Sequence, residues 1–293
     1  MKDAARLVAY LVATVFFGVM AAPLLYWAAQ ALAVHGIFPA VAHFDFESFF
    51  HRALMLGAIV FLWPLLRWLG IKTRRDLELE PNGRWLRDVI VGFLLSALPV
   101  LLCEIFLVAR GSYSVRANPS WTAIAFIVPS AVVVPLIEEA FFRGFFLGIL
   151  LRSFRPWTAN LLSAALFSIV HFLKAPEETS KTVKWFSGFV SLGHSFDQFS
   201  EPMLVLCGFT TLFAIGVILA QGRLGTRSLW LPIGLHSGWI LASESFGKIA
   251  RRELVALPWL GKNLLVGLVP LAACLLSWVL MRAWLNYAAR RDT

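Results

Sequence analysis

Charge is scarce in this sequence. Only 15% of its 293 residues are Asp, Glu, Lys or Arg, where a soluble domain carries about 25%. Hydrophobic residues make up 59% and the mean hydropathy is +0.75, so the chain is excluded from the soluble class and placed in a membrane. Cysteine is scarce too. Cys103, Cys207 and Cys274 each lie alone in an apolar run, without the paired spacing of a metal site or a disulfide framework, and read as small packing residues. A His-Glu-x-x-His helix is missing, as are internal repeats and low-complexity stretches. Short alternating segments are also missing, which excludes a membrane barrel. Acids are outnumbered, 17 against 26 bases, for a net charge of +9. The basic residues cluster between apolar runs, where they serve as topology determinants and lipid-headgroup contacts, so no nucleic-acid partner is expected.

What is present is long and apolar. About 20 apolar residues span a bilayer as a helix, and such windows fall at Arg6–Val34, Ala53–Leu69, Leu86–Ala109, Trp121–Leu151, Thr158–Leu173, Met203–Gln221, Leu229–Ser243 and Asn263–Leu285. The expected fold is therefore an all-α integral membrane protein. It is a bundle of about eight transmembrane helices in a single polytopic domain over 1–293. The fifth and seventh windows are short. The first is too long for a signal-peptide core and reads as an anchor. Lys and Arg favour the connections on the side of the N-terminus, among them Lys72, Arg74, Arg75, Arg152, Arg155, Arg223 and Arg227. This bias places both termini in the cytoplasm, and the composition suggests a bacterial inner membrane. Lys174–Pro202 interleaves charges with Trp185, Phe186, Phe189, Phe196 and Phe199, the pattern of an interfacial helix or of a lid.

One stretch breaks the apolar pattern. Ile137–Phe146 reads I-E-E-A-F-F-R-G-F-F and holds Glu138, Glu139 and Arg143 inside the run from Trp121 to Leu151. Each charge at the centre of a membrane helix costs about 2.5–3.5 kcal/mol on insertion scales, so three together call for a reason. Glu139 and Arg143 stand four residues apart with the acid first, the favourable order for a helical ion pair. Glu138 lies about 100° further round the helix and faces something else. Pro129 and Pro135 precede the pair and predict a bend before Glu138.

Two of the six histidines sit within apolar runs. His171 follows Phe167 by four residues, so the two share a helix face, and His236 opens the seventh run within L-P-I-G-L-H-S-G-W. Singly, each fits a hydrogen-bonded core residue. With a spare carboxylate nearby they form a general-base arrangement able to activate a water, and a second His can donate to the oxyanion of a tetrahedral intermediate. Two His and a Glu could also ligate zinc with a water. One carboxylate is already committed to an arginine, so a glutamate-activated water without metal is the preferred reading and no cofactor is expected.

Glu138-Glu139-Ala140-Phe141-Phe142-Arg143 is an EExxxR pattern, Phe167-x-x-x-His171 an FxxxH pattern, and His236 follows in order. Together they resemble the CAAX-protease and bacteriocin-processing (CPBP) family of intramembrane proteases, with a catalytic core over 121–240. The resemblance implies a helical bundle around a water-filled cavity. It implies that Glu138, assisted by His171, activates the water, that Glu139 with Arg143 and Phe167 supports the site, and that His236 lines the oxyanion hole. Where the family often has Asn four residues after that His, this chain has Ile240, which cannot donate. Ser237, Ser243 or Trp239 would have to substitute. The expected activity is hydrolysis of a peptide bond in a membrane-anchored or lipidated protein, with membrane lipids as the other partner. A catalytically silent binding or bacteriocin-immunity protein on the same bundle is the alternative, and a proton-coupled transporter a third.

Overall fold

The computed structural model describes residues 2–37, 39, 44–77, 79–172, 182–261, 264 and 266–291. Ten α-helices dominate the described residues: α1 (Lys2–Val34), α2 (Phe46–Trp68), α3 (Trp85–Ala109), α4 (Trp121–Glu139), α5 (Leu147–Leu151), α6 (Pro156–Phe172), α7 (Ser187–His194), α8 (Pro202–Thr226), α9 (Trp230–Ile249) and α10 (Leu268–Arg291). A π-helical segment, Ala140–Phe146, joins α4 to α5. The only sheet among the described residues is the antiparallel pair β1 (Tyr113–Val115) and β2 (Ala250–Arg252), which follow α3 and α9.

The chain is thus an all-α membrane protein, and each of the eight apolar windows is occupied by a long helix. Six helical stretches are long and apolar enough to cross a membrane: Ala5–Val34, Phe46–Trp68, Trp85–Ala109, Trp121–Leu151, Pro202–Thr226 and Leu268–Arg290. The two short windows are α6 and α9. Helix α9 buries Leu231 to His236, Gly238, Trp239, Ala242 and Phe246 against protein, so it tolerates polar residues that a lipid-facing helix would not. Large apolar side chains such as Trp63, Ile105, Phe126 and Val279 lie more than half exposed, as surfaces solvated by acyl chains require.

Contacts divide the chain into two compact units, Met1–Lys72 with Ile169–Glu201, and Thr73–Ser168 with Pro202–Thr293. In the first, α1 packs along α2 around Val19, Ala22, Phe46, Phe50 and Ala53. The buried Glu47 accepts a hydrogen bond from Ser191 Oγ of α7 at 3.3 Å. Of the stretch expected to form an interfacial helix or lid, residues 173–181 lie outside the described residues, as does His43. The described remainder forms α7, flanked by the exposed Trp185, Phe186 and Phe196.

In the second unit, α3 and α9 run parallel and unusually close. A Cβ at Gly92 would stand 2.5 Å from the Leu231 carbonyl oxygen, and one at Gly238 would stand 2.5 Å from that of Phe93. Small residues one turn apart let membrane helices approach backbone to backbone. His236, two residues from each glycine, points from the opposite face of α9 to Glu139 of α4, so the close pair sets where the histidine stands.

Candidate active site

Glu138 and Glu139 end α4, and Arg143 lies in the π segment that follows. The helix continues through Pro129 and Pro135. Its departure from α geometry comes after the acidic pair, where the Leu147 N–H reaches back five residues to the Phe142 carbonyl. Single π turns inside helices recur at functional sites, because the added residue re-aims the side chains beyond it.

The predicted ion pair is present. Arg143 Nη1 donates to Glu139 Oε1 at 2.9 Å, and both side chains are 0% exposed. Much of the buried guanidinium is in contact with other groups, although Nε has no hydrogen-bond partner among the described residues. The face lies 4.2 Å from the centre of the Phe167 ring, a cation–π contact. Nη2 lies 3.5 Å from the Gly216 carbonyl oxygen of α8. A Cβ at Gly216 would be 2.8 Å from Ala164 Cα of α6, so a glycine is needed for that carbonyl to come so close. Phe142 meets the Phe167 ring edge to face at 5.2 Å.

His236 completes the cluster. Its Nδ1 lies 2.8 Å from Glu139 Oε1, and its ring packs T-shaped on Phe167 at 6.1 Å. An oxygen that already accepts from Arg143 is a carboxylate acceptor, so Nδ1 carries the proton and donates. Nε2 is then an acceptor in the neutral ring and a donor only in the imidazolium. This Nε2 stands 3.9 Å from Glu138 Oε2, and the Glu138 side chain remains 27% exposed. That distance is too long for a direct hydrogen bond, and Oε2 is the buried oxygen of this partly exposed side chain.

The two neighbouring glutamates therefore differ sharply. Glu139 is sealed, charge-compensated and fixed to both Arg143 and His236. Glu138 opens to the surroundings beside the far edge of the same imidazole. Among the described residues no group of three or more His, Cys, Asp and Glu side chains is arranged to hold a metal ion.

Other expected site residues are placed as follows. Phe167 is 1% exposed and central to the cluster. His171, one turn later on α6, is exposed and falls in the first compact unit, whereas Glu138, Glu139, Arg143, Phe167 and His236 fall in the second. Ser237 and Ile240 are half-buried on α9. Ser243 Oγ donates to the Trp239 carbonyl at 2.7 Å and is occupied by its own helix. Trp239 is 5% exposed, and its indole N–H has no hydrogen-bond partner among the described residues. With Ser243, Cys103 and Cys274 it lines a cavity of about 20 Å³, room for roughly one water. Reasoning from sequence missed the Gly216 carbonyl and Phe142. A backbone oxygen leaves no trace in a motif, and Phe142 was hidden among the variable positions of EExxxR.

Comparison with known proteins adds one match. Residues 119–242 match the family model described as Rce1-like, type II CAAX prenyl endopeptidase. No curated protein and no solved structure matches the chain. The matched stretch runs from α4 through the π segment, α6 and α8 to about two thirds of α9, so it holds every residue of the Glu139–Arg143–Phe167–His236 cluster. Over residues 119–242, less than half of its length, this chain is similar to the Rce1-like CAAX endopeptidase family, in agreement with the CPBP-type motifs of its sequence.

Proposed function

We propose that the protein is a glutamate-dependent intramembrane endopeptidase that cleaves a membrane-anchored or lipidated protein. The observation that carries this reading is the division of labour between the neighbouring carboxylates. One is buried and compensated, while the other is partly open and stands 3.9 Å from an imidazole nitrogen. Glu138 takes a proton from the water as its oxygen attacks the scissile carbonyl carbon. The carbonyl π electrons move to oxygen, forming a tetrahedral oxyanion. When the C–N bond breaks, the proton held by Glu138 passes to the leaving amine.

Glu139 orients His236 through Nδ1, in the manner of a carboxylate that sets the tautomer of a catalytic histidine. Protonated at Nε2 from solvent before the attack, His236 donates Nε2–H to the oxyanion and keeps that proton when the oxyanion collapses. Trp239 is the second candidate donor, because its indole N–H is buried without a partner. The assistance of His171 to Glu138 rests on the FxxxH motif alone. A lipidated substrate suits a site set between membrane helices, since its lipid can stay in the acyl-chain region while the peptide reaches Glu138. The bias of Lys and Arg supports both termini in the cytoplasm.

The test compares the membrane proteome of cells carrying the wild type with that of cells carrying Glu138→Gln. Peptide termini present only with the wild type are expected, and they identify the substrate class as well. Equal termini with both proteins folded and equally expressed would overturn the protease mechanism. Such a result would instead favour a silent binding protein, with Ile240 in place of a donor as its signature.

A further inference from the structure

An open cleft of about 510 Å³ lies where the first turn of α6, the end of α8 and the second half of α10 meet, all within the second unit. Five of the side chains lining it are polar or amphipathic: Trp157, Asn160, Gln221, Trp278 and Arg282. Their states are unequal. Asn160 is 1% exposed, and its carboxamide oxygen accepts no hydrogen bond among the described residues. A buried polar atom left unsatisfied costs about 1–3 kcal/mol, so an orphaned acceptor lining a cleft points to an external donor.

Trp278 donates its indole N–H to Gln221 Oε1 at 2.8 Å. This ties the ring to α8 and leaves the Gln221 amide N–H groups available. Arg282 is exposed and forms no ion pair among the described residues. The first turn of α6 adds backbone N–H groups that a helix leaves without intrahelical partners, and these favour an anion.

We propose that this cleft binds the headgroup of a glycerophospholipid. Its phosphate pairs with Arg282, and a headgroup N–H or O–H donates to Asn160 Oδ1. A lipid fits better than a soluble phosphate ester for two reasons. Trp157 and Trp278 flank the cleft, and tryptophan rings favour the headgroup level of a bilayer. Trp278, one turn nearer the middle of the α10 span than Arg282, leads the cleft towards the exposed apolar surface of Leu275 and Val279, where acyl chains continue. The connection from α5 to α6 places Arg152 and Arg155 at the same edge. That edge is the one the basic bias assigns to the cytoplasm, where basic pockets between membrane helices bind lipid headgroups. The site stands on residues outside the Glu138–His236 cluster and does not depend on the catalytic reading.

The headgroup chemistry supplies the test. Phosphatidylethanolamine and phosphatidylglycerol carry N–H and O–H donors, whereas the quaternary ammonium of phosphatidylcholine has none, and all three share the phosphate. Delipidated full-length protein in detergent is titrated with each lipid, reading thermal stability and retained lipid by native mass spectrometry. The two donor lipids are expected to bind at least about fivefold more tightly than phosphatidylcholine, the scale of one hydrogen bond. Arg282→Gln, at an exposed position, is expected to weaken all three by about tenfold, the scale of a hydrogen bond to a charged group.

Equal binding of phosphatidylcholine and phosphatidylethanolamine overturns the assignment to Asn160 and the proposal with it. So does an unchanged Arg282→Gln protein, or stabilisation by glycerol phosphate equal to that by the lipids. Should the variant fail to fold, the lipid series on the wild type decides the question alone.

Discussion

A fully buried arginine is the residue-scale fact from which the site is built. Arg143 is sealed by Glu139, by the face of Phe167 and by the Gly216 carbonyl. Truncating one partner of such a pair leaves the other charge unpaired in a low dielectric. Arg143→Ala is expected to cost about 3–5 kcal/mol, seen as lower folded yield and a lower thermal midpoint. Arg143→Lys keeps the charge and loses the planar face on Phe167, so its stability should fall between the two. Normal stability of Arg143→Ala would show that Glu139 is neutralised by another group. Glu139→Gln tests a different property. An amide is neutral and can present either an oxygen or an NH₂ group to Nδ1, so the His236 imidazolium loses the carboxylate that holds and compensates it. On the proposed mechanism, kcat is expected to drop by about 10²–10⁴ with a shifted pH profile, while KM changes little. An unchanged pH profile would mean that Glu139 is only a structural counter-ion.

At the scale of elements, the close parallel pair of α3 and α9 positions His236, and glycine makes that pair possible. At Gly238 a Cβ would collide with the Phe93 carbonyl and the Ser96 hydroxyl, whereas Gly247 on the same helix has open space around it. Gly238→Val is therefore expected to lose at least about 1–3 kcal/mol through overpacking and to displace His236. Gly247→Ala should be neutral or gain up to about 1 kcal/mol from helix propensity. Thermal unfolding of the two variants side by side checks this, and a Gly238→Val protein as stable and active as the wild type would rule out the tight pair. The π segment works at the same scale. It runs from Ala140 to Phe146 and carries Arg143, whose guanidinium meets both Phe167 and the Gly216 carbonyl.

For the whole molecule, the arrangement of helices makes the orientation testable. Gly83 and Ala117 lie exposed at opposite ends of α3, in the connections before and after it. The basic bias places Gly83 in the cytoplasm and Ala117 outside. The native cysteines are buried or half-buried. In intact cells, Ala117→Cys should therefore react with a membrane-impermeant maleimide, and Gly83→Cys only after lysis. The reverse pattern would invert the topology and move the Trp157–Arg282 cleft to the other leaflet.

The sequence alone determined the class and much of the inventory. Scarce charge and long apolar runs can be solvated only by lipid, so the six long apolar helices and the two shorter ones were legible, and so was the Glu139–Arg143 pair, because four residues on a helix is a local distance. It did not reveal which imidazole meets the acids. Glu139 and His236 are 97 residues apart, and their contact exists because α9 packs against α4, and against α3 through glycines whose purpose no local pattern states. Nor did it locate the irregular turn. The prolines pointed to the stretch before Glu138, whereas the π turn lies after Glu139, where side chains from α6 and α8 close on the guanidinium. The role of each glutamate was therefore decided by tertiary structure: neighbours in sequence, they differ because one faces a packed interior and the other an opening.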